Sequence, residues 1–281
     1  MITGLDHVVI LLNDLEVGIA TYQTLFSRKP AWRSTSEGAE LAIFTLANMS
    51  VELMAPHGEG TAATRIRAVL PESGATLASI CFATDDIAKM HRRLDRVALK
   101  PDPITEVESR DRDTGATLSW KRTRAATDHT RGVRQFFLEL DGERQVSAST
   151  SKTPIIGLDH IVVATQDPER AAALYGARLG LDLALDRSNP DWGHLMFFHC
   201  GDLVVELVKR PHDQGDVNRD VLWGMTWRVA DIDATRERLL AAHVTVSEVR
   251  SGRKPGTRVA SLRDGTLGIP TLLIEREERE G

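Results

Sequence analysis

Cysteine is nearly absent: among 281 residues only Cys81 and Cys200 occur, both inside apolar, strand-like runs. Two such thiols suggest neither a disulfide framework nor a cysteine-based zinc site. The sequence has no apolar stretch long enough to cross a bilayer, and its N-terminus lacks the basic segment and apolar core of a signal peptide. A cytoplasmic protein without a membrane partner is therefore expected. Charge of one sign is never concentrated, since 35 Lys and Arg against 40 Asp and Glu give a net charge of -5 without a long run. That balance gives no electrostatic reason to expect a nucleic-acid partner. A Gly-rich phosphate loop, a serine nucleophile elbow and an HExxH motif are all missing.

What the sequence does contain is itself, twice. Gly-Leu-Asp-His occurs at 4–7 and again at 157–160, each time opening an apolar strand. The match continues without a gap through Asp14 and Asp167, Ala20 and Ala173, and Tyr22 and Tyr175. Further on, Val51-Glu52-Leu53 lines up with Val205-Glu206-Leu207. A weaker echo lies within each half, because Ser79 to Ile87 and Gly224 to Ile232 again read as strands leading into helices. Four units of about seventy residues fit the length.

Each unit reads as a strand, a helix, then two or three strands. In the first, 5–12 is β-rich and Asp14 caps a helix with Ile19, Tyr22, Leu25 and Phe26 at helical spacing. The strand pairs 40–46 with 50–54, and 194–200 with 203–208, are joined by short turns, and helices are expected over 87–99 and 232–243. The polar segment from Arg144 to Pro154 divides the chain into domains 1–142 and 155–281, with modest freedom expected at the join.

A βαβββ unit used four times, with His at the head of the first strand and Glu near the end of the last, resembles the vicinal oxygen chelate superfamily. That group includes glyoxalase I, type I extradiol dioxygenases and the bleomycin-resistance binding proteins. The resemblance implies an α+β fold of two glyoxalase-like domains, in which paired units curl into a cup around a metal. It assigns His7, Glu52, Ser79 and Glu139 to the ligand positions of one cup, and His160, Glu206, Gly224 and Glu275 to those of the other. Both cups lack the second His that metal enzymes of the family often place where Ser79 and Gly224 stand.

One His with two Glu suits a divalent metal such as Zn, Mn, Fe or Ni, with water completing the shell. The two-His, one-carboxylate set of a ring-cleaving iron enzyme is not met. The leading expectation is thus a metal-dependent lyase or isomerase acting on a small molecule with vicinal oxygens, with Glu206 or Glu275 moving a proton. A metal-free binding protein of the bleomycin-resistance kind is the rival, and an extradiol-type dioxygenase ranks below both. Strand alternation sets Glu52 and Glu206 on the face opposite their apolar neighbours. His199 follows the apolar run 195–198 and is a candidate for the same cup, as are Trp223 and Trp227 for a flat wall. Two basic stretches, 120–124 and 250–258, fall in units two and four, and the second is a Gly- and Pro-containing loop that could close over an anion with Arg253 and Lys254.

Overall fold

Asp14, Asp86, Asp167 and Asp231 hold the same place in the four repeats, and each caps a helix. Their carboxylates accept backbone N–H bonds from Val17, Lys89, Arg170 and Ala234 at 2.7 to 3.2 Å. Each bond satisfies one of the amides that a helix start leaves open. The helices that follow are α1 (Leu15–Phe26), α3 (Ile87–Arg96), α4 (Pro168–Ala172) and α5 (Ile232–Ala241), and α4 runs on as a π-helical turn over Ala173–Arg178. A further helix, α2 (Thr61–Val69), was not expected from the sequence. The computed structural model describes residues 1–36, 38–212 and 215–277, so the end of the charged tail, 278–281, lies outside the described residues.

Strands form two sheets of eight. The first contains β1 (Ile2–Leu12), β2 (Trp32–Ser36), β3 (Ala39–Thr45), β4 (Ser50–Pro56), β5 (Ala75–Thr84), β6 (Thr105–Arg110), β7 (Thr117–Arg124) and β8 (Arg134–Asp141), in the order β2-β3-β4-β1-β5-β8-β7-β6. The second contains β9 (Ile155–Ala164), β10 (Asp182–Asn189), β11 (Gly193–Cys200), β12 (Leu203–Lys209), β13 (Val221–Val229), β14 (Arg250–Ser251), β15 (Thr257–Leu262) and β16 (Thr271–Arg276), in the matching order β10-β11-β12-β9-β13-β16-β15-β14. The fold is α+β, and its topology repeats as the sequence does. Asn48 makes the repeated Gly157 obligatory, because its side chain bonds the backbone of Leu158 and lies 2.4 Å from where a Cβ on Gly157 would sit.

Compact units cut the chain differently from its sheets. One unit joins Met1–Val9, Leu77–Glu143 and His160–Trp223; the other joins Ile10–Thr76, Arg144–Asp159 and the chain from Gly224 onward. Each unit thus draws a βαβββ repeat from both halves of the sequence. In the first unit, Arg93 donates to the carbonyls of Ala177 and Arg178, while Arg178 donates back to those of Val97 and Ala98. In the second, Arg238 stands where Arg93 stands in its repeat and donates to Thr24 and Leu25 at 2.9 and 3.0 Å. Trp227, fully buried, packs edge-to-face on Phe26 at 5.0 Å in the same core.

The join between the halves is held rather than loose. Arg28 donates to the carbonyls of Ser147 and Ile155, and Thr150 is bonded through both its amide and its hydroxyl to Ser27. The expectation of freedom failed because composition alone does not reveal that an arginine 119 residues upstream supplies the donors.

The two repeated tyrosines differ in one respect. Tyr175 accepts a bond from the buried Gln135 at 3.2 Å, whereas the hydroxyl of the equally buried Tyr22 has no partner among the described residues. Tyr175→Phe should therefore cost about 1 kcal/mol of stability and Tyr22→Phe nothing measurable. Denaturant unfolding checks this, and equal losses for the two would show that Tyr22 has a partner after all.

Candidate functional site

Alternation along β12 buries Val205 and Leu207 completely and turns Glu206 to the other face of the sheet. Phe198, the cross-strand partner of Val205, packs against Tyr175 on the helical side, so Glu206 and its own partner Phe197 face away from the helices. His160 lies in the neighbouring parallel strand opposite Val204, and its Nε2 stands 3.1 Å from Glu206 Oε2. The Phe197 ring stacks over the imidazole at 6.4 Å with planes 19° apart. Val162, Leu195 and Val208 are buried on this face, with Ala164 and Trp192 packed on them. An acid–base pair is thus set in an apolar floor, where hydrogen bonds to a ligand are strengthened by the low dielectric.

The equivalent histidine of the first sheet keeps different company. His7 is buried, its Nδ1 lies 2.5 Å from Asp6, and its ring is also hydrogen-bonded to Cys81. Burial favours the neutral imidazole, yet Cys81 and Asp6 outweigh it and raise the pKa well above the usual histidine value. Glu52 is half-buried between the fully buried Val51 and Leu53, as alternation requires, and belongs to the other compact unit from His7.

The two last-strand glutamates do not join these faces. Glu139 Oε2 accepts the backbone N–H of Ile87 at the start of α3, at 2.6 Å. Glu275 does the same for Ile232 at the start of α5, at 2.7 Å, and also pairs with Arg258. Both therefore serve helix N-termini, where a carboxylate is favoured by open amides and the helix dipole. The reason is register. In the parallel pair β5–β8, Ser79 is level with Arg134 and Cys81 with Phe136, so Glu139 lies further along, on the face of Phe137 and Phe82. In β13–β16, Trp227 is level with Leu273, and Glu275 lies further along on the face of these two buried residues.

The second missing histidine cannot simply be restored at Gly224. A Cβ there would lie 2.5 Å from the Pro270 carbonyl, which already accepts the Met225 N–H. Its bareness is imposed by the approach of β16. Among the described residues, no three His, Cys, Asp or Glu side chains converge as a metal site. The donors at hand therefore do not fit the expected ligand set, and His160 with Glu206 is the predicted pair that the structure brings together.

Other expected contacts divide. His199 is exposed on β11, on the face of Phe197, opposite Val204. Trp223 is 39% exposed and carries the Arg210 guanidinium 3.5 Å over its ring, while Trp227 is core rather than wall. Lys254, Arg250 and Arg258 line a cavity of about 490 Å³ at the β14–β15 hairpin, with Glu277 as counter-charge; Arg253 is exposed beside them. Sequence reading missed Arg134 as the residue level with the strand-start position Ser79. Counting along the two parallel strands would have found it, because a residue near the end of β8 cannot be level with one near the start of β5.

Comparison with known proteins agrees with this architecture. A model of the glyoxalase-like domain matches residues 5–157, and one of the glyoxalase, bleomycin resistance protein and dioxygenase superfamily matches 157–265. The chain belongs to the glyoxalase-like family. No curated protein matches it significantly. A mutant 4-hydroxymandelate synthase from Streptomyces coelicolor superposes with a TM-score of 0.70 at 12% identity, covering 100% of this chain and 95% of its own. The Mn(II)-bound glyoxalase from Novosphingobium aromaticivorans superposes with a TM-score of 0.65 at 10% identity, covering 98% and 82%. At such identities these likenesses establish the fold alone.

If Glu275 is a helix cap, Glu275→Ala should lower stability by about 1 kcal/mol, with the helical signal of α5 weakened. Urea unfolding of the variant measures this. Unchanged stability accompanied by loss of a bound ion would return Glu275 to the metal.

Proposed function

We propose that the chain is a small-molecule-binding protein of its superfamily that works without a resident metal ion. The single observation behind this reading is the use of Glu139 and Glu275 as helix caps, which leaves each sheet without its third donor. Two donors alone make a weak site for a divalent ion. What remains around His160 is suited to binding: an apolar floor for a ligand body, with an imidazole and a carboxylate to orient its polar end. The extradiol alternative loses further ground on the same argument, since its iron needs a facial triad.

A divalent-metal lyase or isomerase is the second reading, favoured by the 3.1 Å pair itself. Glu206 would then be the base and His160 its proton partner or a metal ligand, with Zn, Mn, Fe or Ni as the ion. Such an enzyme would bind metal in the native protein and turn over an α-oxoaldehyde adduct or a catechol.

Metal analysis of protein purified without added metal separates the two readings. The binding reading expects far less than one ion per chain and no turnover of either substrate with added iron, zinc, nickel or manganese. It also expects 1-anilinonaphthalene-8-sulfonate to bind equally well with and without chelator, and more weakly in Phe197→Ala. Stoichiometric metal with chelator-sensitive turnover that is abolished by Glu206→Gln would establish the enzyme instead.

A further inference from the structure

At the outer edge of the second sheet, the β14–β15 hairpin borders a cavity of about 490 Å³. Small-molecule sites occupy roughly 300 to 1,000 Å³, and none of the expected ligand positions His160, Glu206, Gly224 and Glu275 lines this cavity. The loop is held in shape by its own bonds. Gly252 donates to the Thr257 carbonyl at 2.8 Å, the Thr257 hydroxyl to the Lys254 carbonyl at 2.5 Å, and the Glu277 amide to the Gly256 carbonyl at 2.9 Å. A Cβ on Gly252 would collide with the hydroxyl of the buried Thr257, and Gly256 has a φ of +71°, so this closure requires both glycines.

Cations outnumber anions on the lining. Arg258 is engaged by Asp233 and Glu275, at 2.6 and 3.4 Å. The exposed side chains of Arg250 and Lys254 have no ion pair among the described residues, and the amides of Lys254 and Gly256 donate to nothing there. One exposed carboxylate, Glu277, stands against them. Two open cations and two open amides on a preformed loop suit a phosphoryl group, which collects charge-assisted bonds without reorganising the loop. Glu277 repels a bare anion but accepts a bond from a hydroxyl carried by the same ligand. We propose that this cavity binds a sugar phosphate, its phosphoryl group held by Arg250 and Lys254 and a sugar hydroxyl by Glu277. The site goes beyond the reading above and stands whether or not His160 and Glu206 hold a ligand or a metal.

Calorimetric titration of the full chain with glucose 6-phosphate, glucose and inorganic phosphate tests it. Saturable binding of the ester that weakens with salt is expected, with inorganic phosphate about tenfold weaker and glucose not binding. Lys254→Ala and Arg250→Ala, both at exposed positions, should each weaken the ester about tenfold with the unfolding midpoint unchanged. Glu277→Gln should tighten inorganic phosphate severalfold and narrow its gap to the ester. The proposal is overturned if millimolar glucose 6-phosphate does not bind, if inorganic phosphate binds as tightly, if Lys254→Ala leaves the affinity intact, or if Glu277→Gln leaves the gap unchanged. Loss of binding in Phe197→Ala but not in Lys254→Ala would place the ester beside His160, overturning this site while leaving the metal-free reading in place.

Discussion

A guanidinium group donating to the carbonyls at the end of a neighbouring helix is the interaction on which each compact unit depends. Arg93 and Arg238 occupy the same position in α3 and α5, and both reach the last turn of the helix from the other half of the sequence. Those carbonyls have no partner within their own helix, and the negative end of the helix dipole adds to their attraction for a cation. Burial lowers the pKa of Arg238 and of Arg178, which donates back to the end of α3, so in each unit a part-desolvated charge is held for its geometry. Removing either Arg93 or Arg238 would delete two hydrogen bonds to part-buried or exposed carbonyls, a cost of about 1 kcal/mol each.

That clamp explains how a duplicated chain can be cut one way by its sheets and another by its cores. Strand pairing follows sequence order, because neighbouring repeats supply neighbouring strands. Helix packing does not: the second repeat is clamped to the third, and the first to the fourth. Gln135 bonds Tyr175 in one core and Trp227 packs on Phe26 in the other, so the two cores are filled with unlike chemistry. Duplication has preserved the plan and let the contents diverge, and the same divergence separates His160 on Glu206 from His7 on Asp6 and Cys81.

Much of the fold was legible because it rests on local signals. Four aspartates before four apolar stripes announce four helices, and strict alternation about Glu52 and Glu206 announces their face. The candidate site was half legible. His160 and Glu206 were recoverable, since each sits early or mid-strand in an unbroken repeat. Glu139 and Glu275 were not placed by the sequence because their level depends on register between parallel strands more than forty residues apart, as do their bonds to Ile87 and Ile232. Arg28 and its hold on the join were invisible for the same reason.

The central claim is that the last-strand carboxylates belong to helices and not to a metal. A crystal structure of the protein grown in excess Mn(II), with anomalous data, tests it most directly. The account predicts Glu139 and Glu275 on the amides of Ile87 and Ile232, with no anomalous peak bonded to His160. A manganese peak ligated by His160, Glu206 and Glu275 together would contradict it.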